Sequence, residues 1–501
     1  MPSPDWAAAF SCSITSDACS KLKSGAYAII SSPREAPISI SPSFELRSHF
    51  LIFMTKAIHL STTEKASWVS GTAPELMPTS SADTPDLRVT AEETISWQGF
   101  GGCFNELGSR ALKHLSPKDR TRVLDDLFSP DGELRFEFCR TPIGANDYSE
   151  DWYSLAEVAE DFELQHFSIE RDRRHLLPFI KEALRRQPGL TLFASPWSPP
   201  TWLKRPAVFN FGKLILEPLY LEAYARYFLK YVQAYAEEGV TVQQIHVQNE
   251  PVSSQKFPSC VITGEEFALF IGKYLGPLFE REKCPTEIWL GTINGPETDE
   301  RKSWSSVSDY AFAVMEDAEA GKYVKGISYQ WAGKYAVWRT RLGYPELPLI
   351  QSENECGDGQ NTWAYAWYVA DLLHHYLAQD VCAYVYWNMI LEPEGISTWG
   401  WKQNSLYTAD PATGTLTVNP EYHIMRHYSA FIRRGDRRLV CQRPWATNAL
   451  AFKSTAASAA TTVVVRNPFT RERTVTVETP DKKMWRVDLP AQSINTVRLP
   501  V

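Results

Sequence analysis

Between Trp97 and Ile390 the chain alternates two hydrophobic rhythms. Short, nearly continuous apolar runs occupy 97–105, 134–144, 190–197, 242–249, 287–294, 324–331, 347–354 and 381–390. Stretches with helical spacing lie between them. In one, Leu221, Tyr224, Phe228, Tyr231 and Tyr235 fall on a single face before Gly239 closes the segment. Another, "HLLPFIKEALRRQ", stops at Pro188-Gly189. Runs without polar alternation are what strands buried on both faces require. Eight strands alternating with helices predict an α/β fold, an eight-fold (β/α) barrel. A doubly wound open sheet would share the rhythm. However, "GFGGCF" at 99–104 lacks the third glycine of a dinucleotide loop, and no GxxxxGK[ST] occurs.

Outside this region the pattern changes. Residues 1–53 are rich in Ser, Pro and Ala with no sustained period, which predicts a flexible extension. Strand-like stretches surround Ile58–Leu60 and Leu87–Thr90. After the helical "YHIMRHYSAFIRRG", short alternating runs follow ("TTVVVRN", "RTVTVE", "MWRVDLP", "INTVRLP"). The expected organisation is an extension at 1–53, N-terminal strands at 54–96, a barrel at 97–430 and C-terminal strands at 431–501. The two terminal sets of strands would build one accessory β-sandwich.

Composition narrows the class. A chain of 501 residues with 44% apolar and 22% charged residues can bury a large core. A formal charge of −8 offers no basic footprint for nucleic acid. No run is long enough to cross a membrane, so no stable membrane insertion is expected. Nine scattered cysteines without a CxxC pair fit reduced thiols better than a disulfide framework. With no recognisable signal peptide, a cytoplasmic location is expected, secretion staying open. Glu355 and Asp358 match no calcium spacing, and neither a metal nor another cofactor is called for. Nothing in the sequence fixes the oligomeric state.

The chemistry gathers at the C-terminal ends of the barrel strands, the face where such barrels build their sites. The second strand ends near Arg140 and Asp147, the third at Trp197 and the fourth at Asn249-Glu250-Pro251. The sixth ends at Gln330-Trp331, the seventh at Glu353 and the eighth at Trp387-Asn388. Two carboxylates, polar groups and three tryptophans thus share one rim. Glycoside hydrolysis needs such a set: one carboxylic acid protonates the departing oxygen, and a second carboxylate attacks the anomeric carbon or activates water. Tryptophans stack on sugar faces, and Asp, Arg and Asn read hydroxyls. Arg140 also reads as an ion-pair partner of a glutamate.

The stretches "GFGGCFNELG", "CRTPIGANDYS", "SPWSPPTWLK", "VQNEP", "IQSENECG" and "YWNMILEPEG" together resemble glycoside hydrolase family 30, which includes glucosylceramidases and β-1,6-glucanases. The resemblance spans roughly 54–501. It implies a barrel with a β-sandwich and a retaining mechanism with Glu250 as acid/base and Glu353 as nucleophile. By the same resemblance Asn249 binds the sugar 2-hydroxyl, and Asp147, Arg140 and Trp197 line the subsite of the non-reducing sugar. Trp331 and Trp387 would complete its walls, with Gln330 and Asn388 as further contacts. The chain departs from glucosylceramidases at Gln330, where they carry histidine, and at Ala332, where they carry tyrosine. The expected activity is β-glucosidase-like on soluble glycosides or oligosaccharides. β-1,6-Glucanase, glucosylceramidase, β-fucosidase, β-xylosidase and transglycosylase activities are the alternatives on the same residues. A non-catalytic carbohydrate-binding barrel would lack one of the glutamates, and both are present.

Overall fold

The computed structural model describes residues 56–78, 84–295, 310–455 and 460–500. The expected extension at 1–53 lies outside the described residues. Eight parallel strands close into a barrel: β1 (Gly99–Cys103), β2 (Phe138–Ile143), β3 (Thr191–Pro196), β4 (Gln244–His246), β5 (Glu287–Ile293), β6 (Val324–Gln330), β7 (Leu349–Glu353) and β8 (Ala383–Asn388). Each pairs with its neighbours in the chain, and β8 returns to β1. Helices pack outside. The longest, Pro218–Glu237, buries the face read from its sequence, from Leu221 through Tyr224, Phe228 and Tyr231 to Tyr235. Thr263 and Glu266 form a reciprocal capping box that starts the helix Gly264–Phe270.

β4 is shorter than its apolar run implies, and the reason matters for the site. Its ladder stops at His246, yet the next residues stay pinned by both neighbouring strands. The Asn249 N–H donates to the Pro196 carbonyl of β3 at 2.8 Å, and the Glu250 N–H donates to the Thr292 carbonyl of β5 at 3.0 Å. Glu250 then adopts φ +49°, a left-handed conformation that side chains other than glycine rarely take. Asn249 and Glu250 are thus fixed at the point where the chain turns away.

"GFGGCF" is a packing device, not a ligand loop. In β1 a Cβ placed on Gly101 would lie 1.6 Å from the Phe138 carbonyl oxygen of β2. Only glycine lets the two backbones approach this closely.

The terminal strands register as one ten-stranded sheet that mixes both ends of the chain. Strand Ile58–Thr63 pairs with Ser493–Pro500, and Leu87–Ser96 lies between Arg437–Gln442 and Arg473–Glu478. All its pairings are antiparallel except the one between Leu87–Ser96 and Arg473–Glu478. Its central strands are buried on both faces. Leu450, Phe452, Val464 and Ile494 join the core beside the barrel. Ala451, Val463, Val465 and Val497 pack with Val475, Val477 and Val487 into a second core, so the sheet covers itself as a sandwich. The seven cysteines among the described residues are all free thiols.

A contrast of two glycines tests the packing argument. Gly101→Ala forces β1 and β2 apart and should lower the melting temperature by well over ten degrees or abolish soluble expression. Gly343→Ala meets nothing within 4 Å and should melt within about a degree or two of wild type. Equal melting temperatures would refute the close-approach reading of β1.

Candidate active site

The mouth of the barrel holds a cavity of about 460 Å³ lined by Asp147, Trp197, Glu250, Glu353, Trp331 and Gln403, among others. Its floor is organised by Arg140. This guanidinium is fully buried at the end of β2. Its Nη1 donates to Glu353 Oε2 in an ion pair. Its Nη2 donates to Asn249 Oδ1 at 2.6 Å and to Ser195 Oγ at 2.8 Å. The Trp197 ring covers it, 4.3 Å from the guanidinium carbon. Gln330 supplies a second set of donors, its Nε2 lying 2.9 Å from Glu353 Oε2 and 2.7 Å from Asn249 Oδ1.

Two consequences follow. Asn249 Oδ1 accepts from Arg140, Gln330 and Thr292 Oγ1, the last at 3.0 Å, which fixes the amide orientation. Glu353 carries two donors on one oxygen. Burial pushes its carboxyl well above the ordinary carboxylate range, Arg140 pulls it down, and Glu250 and Asp147 push it up.

Asp147 is 5% exposed, and its Oδ1 has no hydrogen-bond partner among the described residues. Its Oδ2 accepts from Gln403 Nε2 at 3.3 Å. Burial pushes this carboxyl up to about 6 against the backbone and Gln403 donors. A relay of amides orients it. Asn105, which caps the helix Glu106–His114, donates to Asn388 Oδ1 at 2.9 Å. Asn388 Nδ2 and Trp387 Nε1 both donate to Gln403 Oε1, at 2.9 and 2.6 Å.

The expected residues therefore divide. Asp147, Trp197, Glu250, Trp331 and Glu353 line the cavity. Arg140, Gln330, Trp387 and Asn388, expected to touch the sugar, are instead at most 1% exposed and sit behind the cavity wall. The Arg140 guanidinium and Gln330 Nε2 are engaged by Glu353 and Asn249, and Trp387 Nε1 and Asn388 Nδ2 by Gln403, so they position the wall. Trp387 stacks on the back of Trp197 with ring centroids 5.5 Å apart. Four residues of the network, Asn105, Ser195, Thr292 and Gln403, were not singled out from the sequence. Ser195 and Thr292 carried one signal: a polar residue at the end of an apolar strand. Gln403 carried none, because it arrives on the loop after β8.

The loops after β4 and β8 meet across the mouth, where Phe257 and Trp399 have ring centroids 5.4 Å apart. Among the described residues no cluster of His, Cys, Asp and Glu could hold a metal ion. None of their helices is long and apolar enough to cross a membrane.

A family described as "Glycosyl hydrolase family 30 TIM-barrel domain" matches residues 97–432. The chain is 27% identical to the lysosomal acid glucosylceramidase of Mus musculus over 427 residues, 80% of each protein. It is also 27% identical to an endo-1,6-beta-D-glucanase of Neurospora crassa over 439 residues, 83% of this chain and 87% of that one. Among solved structures, SrfJ from Salmonella typhimurium (23% identity) and the endo-beta1,6-glucanase BT3312 (22%) each superpose with a TM-score of 0.79, covering 89% of this chain and 100% of theirs. The chain belongs to glycosyl hydrolase family 30 and is a glycoside hydrolase.

Asp147 gives a prediction with a definite sign. Its folded pKa is raised from 3.8 to about 6, so the folded chain holds a proton there that the unfolded chain has lost. Stability therefore falls as pH rises through that window, and the penalty is complete above it. Asp147→Asn should be more stable than wild type at pH 8, by on the order of 2–3 kcal/mol, and equal to it near pH 4, while losing most activity. Thermal melts at the two pH values check this. A gain at pH 4 that vanishes at pH 8 would contradict the burial of a charged Asp147.

Proposed function

We propose that this family 30 hydrolase is a retaining exo-β-glucosidase acting on soluble glycosides or oligosaccharides. The observation that carries the reading is the donor arrangement. Arg140 and Gln330 both point at Glu353, while Glu250 faces the same cavity. This favours an ionised Glu353 as nucleophile beside a protonated Glu250 as acid. In the first step Glu353 attacks the anomeric carbon. The glycosidic C–O bond breaks, and Glu250 gives its proton to the leaving oxygen. In the second, the Glu250 carboxylate takes a proton from water, which attacks the same carbon and releases Glu353. Two inversions give net retention.

Donor identity rests on three contacts. The Asn249 NH2 suits an equatorial 2-hydroxyl, which disfavours mannosides. Asp147 Oδ1 offers an unused acceptor for an outer hydroxyl, and Trp197 offers an apolar ring face. The names of both curated relatives carry a glucosyl or D-glucan unit, which supports glucose as the donor. The meeting of Phe257 with Trp399 across the mouth supports a closed donor pocket for one terminal ring.

The two glutamates should fail differently. Glu353→Ala should lose several orders of magnitude on every substrate. Glu250→Ala should lose about 10²–10⁴-fold on alkyl glucosides, keep its first step on aryl glucosides with acidic phenols, and regain turnover with azide. Proton NMR of the first product should show the β anomer before mutarotation. An initial α anomer, or equal losses of Glu250→Ala on good and poor leaving groups, would overturn the reading.

A further inference from the structure

Two loops that build the cavity wall are joined at a point the hydrolytic steps do not touch. One follows β7 and brings Cys356 to the cavity, and the other follows β8 and brings Gln403. Asn404, the residue after Gln403, is buried where they meet. Its N–H donates to the Cys356 carbonyl at 2.6 Å. Its Oδ1 accepts from the Gly359 N–H at 2.8 Å and the Asn361 N–H at 3.2 Å. The fit is close. A Cβ on Gly357, which stands at φ +73°, would lie 2.4 Å from Asn404 Cγ, so the loop after β7 can cross the amide only as glycine.

The amide is held from outside the barrel. With Oδ1 taken by two backbone donors, Asn404 turns its Nδ2 outward, and it donates to Glu421 Oε1 at 2.8 Å. Glu421 is a fully buried carboxyl in the first turn of the helix Pro420–Ser429. Its Oε2 accepts from the Tyr386 hydroxyl of β8 at 2.7 Å. One oxygen thus grips the strand and the other grips the loop that leaves it. Neither Asn404 nor Glu421 lines the cavity.

We propose that Asn404 and Glu421 are positioning residues for the reaction: Glu421 orients the Asn404 amide, which sets the Cys356 and Gln403 side of the cavity. Gln403 in turn donates to Asp147 Oδ2, so the effect reaches a carboxyl that faces the substrate. The proposal rests on the chain being a glycoside hydrolase and not on which sugar it takes. Glu353 is held separately by Arg140 and Gln330. The pair therefore acts on how firmly the cavity holds its substrate rather than on the attacking carboxyl.

The test measures kcat and KM separately on the aryl β-glycoside that wild type turns over fastest. Glu421→Gln sets an amide NH2 against one of its two donors, and Asn404→Asp sets a second carboxyl against Glu421. Each should raise KM about 10-fold, the effect of one broken buried hydrogen bond to a charged group, with kcat within about threefold of wild type. Combining the two exchanges the roles. The carboxyl at position 404 still accepts from Gly359 and Asn361, the amide at 421 donates to it, and KM should return to within about threefold of wild type. Asn467 gives the contrast, because it ties loops of the accessory sheet by donating to the Arg471, Leu489 and Pro490 carbonyls. Asn467→Asp should lower the melting temperature and the amount of active enzyme, hence kcat, at unchanged KM. The same pattern in Glu421→Gln and Asn404→Asp, a fall in kcat at unchanged KM, would overturn the proposal. Where a single variant is insoluble, the combined variant decides: a near-wild-type KM supports the proposal, and a raised KM or an insoluble chain overturns it.

Discussion

The site depends on one buried cation. Arg140 is fully buried, so its charge must be met by protein groups in fixed directions. Glu353 supplies the opposite charge, Asn249 and Ser195 supply acceptors, and Trp197 supplies a π face. Removing one partner of such a pair leaves an uncompensated charge and is strongly destabilising, by about 3–5 kcal/mol. That penalty is why the arrangement is rigid. The guanidinium fork fixes Glu353 and Asn249 relative to each other, and Gln330 ties both again from β6. The Glu353 carboxyl and the Asn249 amide are thus held as a single unit before any ligand arrives.

Function and strain are layered on this unit. Glu250 sits one residue beyond Asn249, so the same backbone that presents the amide presents the second carboxyl, at the cost of a left-handed residue. Thr292 serves twice: its carbonyl holds the Glu250 N–H, and its hydroxyl holds the Asn249 side chain. Asp147 is oriented from the other side by the Asn105–Asn388–Gln403 relay, which runs from a helix cap through β8. The polar groups around the cavity are therefore supported from helix, strand and loop alike.

Much of this was legible in the sequence. The eight buried strands announced themselves as apolar runs, and polar residues at their C-terminal ends named Glu250, Glu353, Asp147 and Trp197, all of which the fold brings to one cavity. Legibility failed where a residue's role depends on depth. Gln330, Trp387 and Asn388 stand at strand ends like the others and Arg140 stands within β2, yet all four lie one layer down. A strand end fixes a residue's height in the barrel, not which side of the cavity wall it occupies. Gln403 escaped because no local pattern marks a loop residue that folds back over a barrel. "GFGGCF" was legible as no dinucleotide loop but not as a packing device: Gly101 answers to the Phe138 backbone across the strand pair.

The central claim is that Arg140 and Gln330 hold the charge on Glu353, making it the nucleophile. A 2-deoxy-2-fluoro-β-glucoside with a good leaving group slows both steps and lets the glycosyl-enzyme accumulate, so peptide mass spectrometry can locate the attached sugar. The account predicts one fluoroglucosyl group per chain, on Glu353, formed more slowly when Arg140 is replaced by methionine. A label on Glu250, or rapid turnover without any covalent adduct, would contradict it.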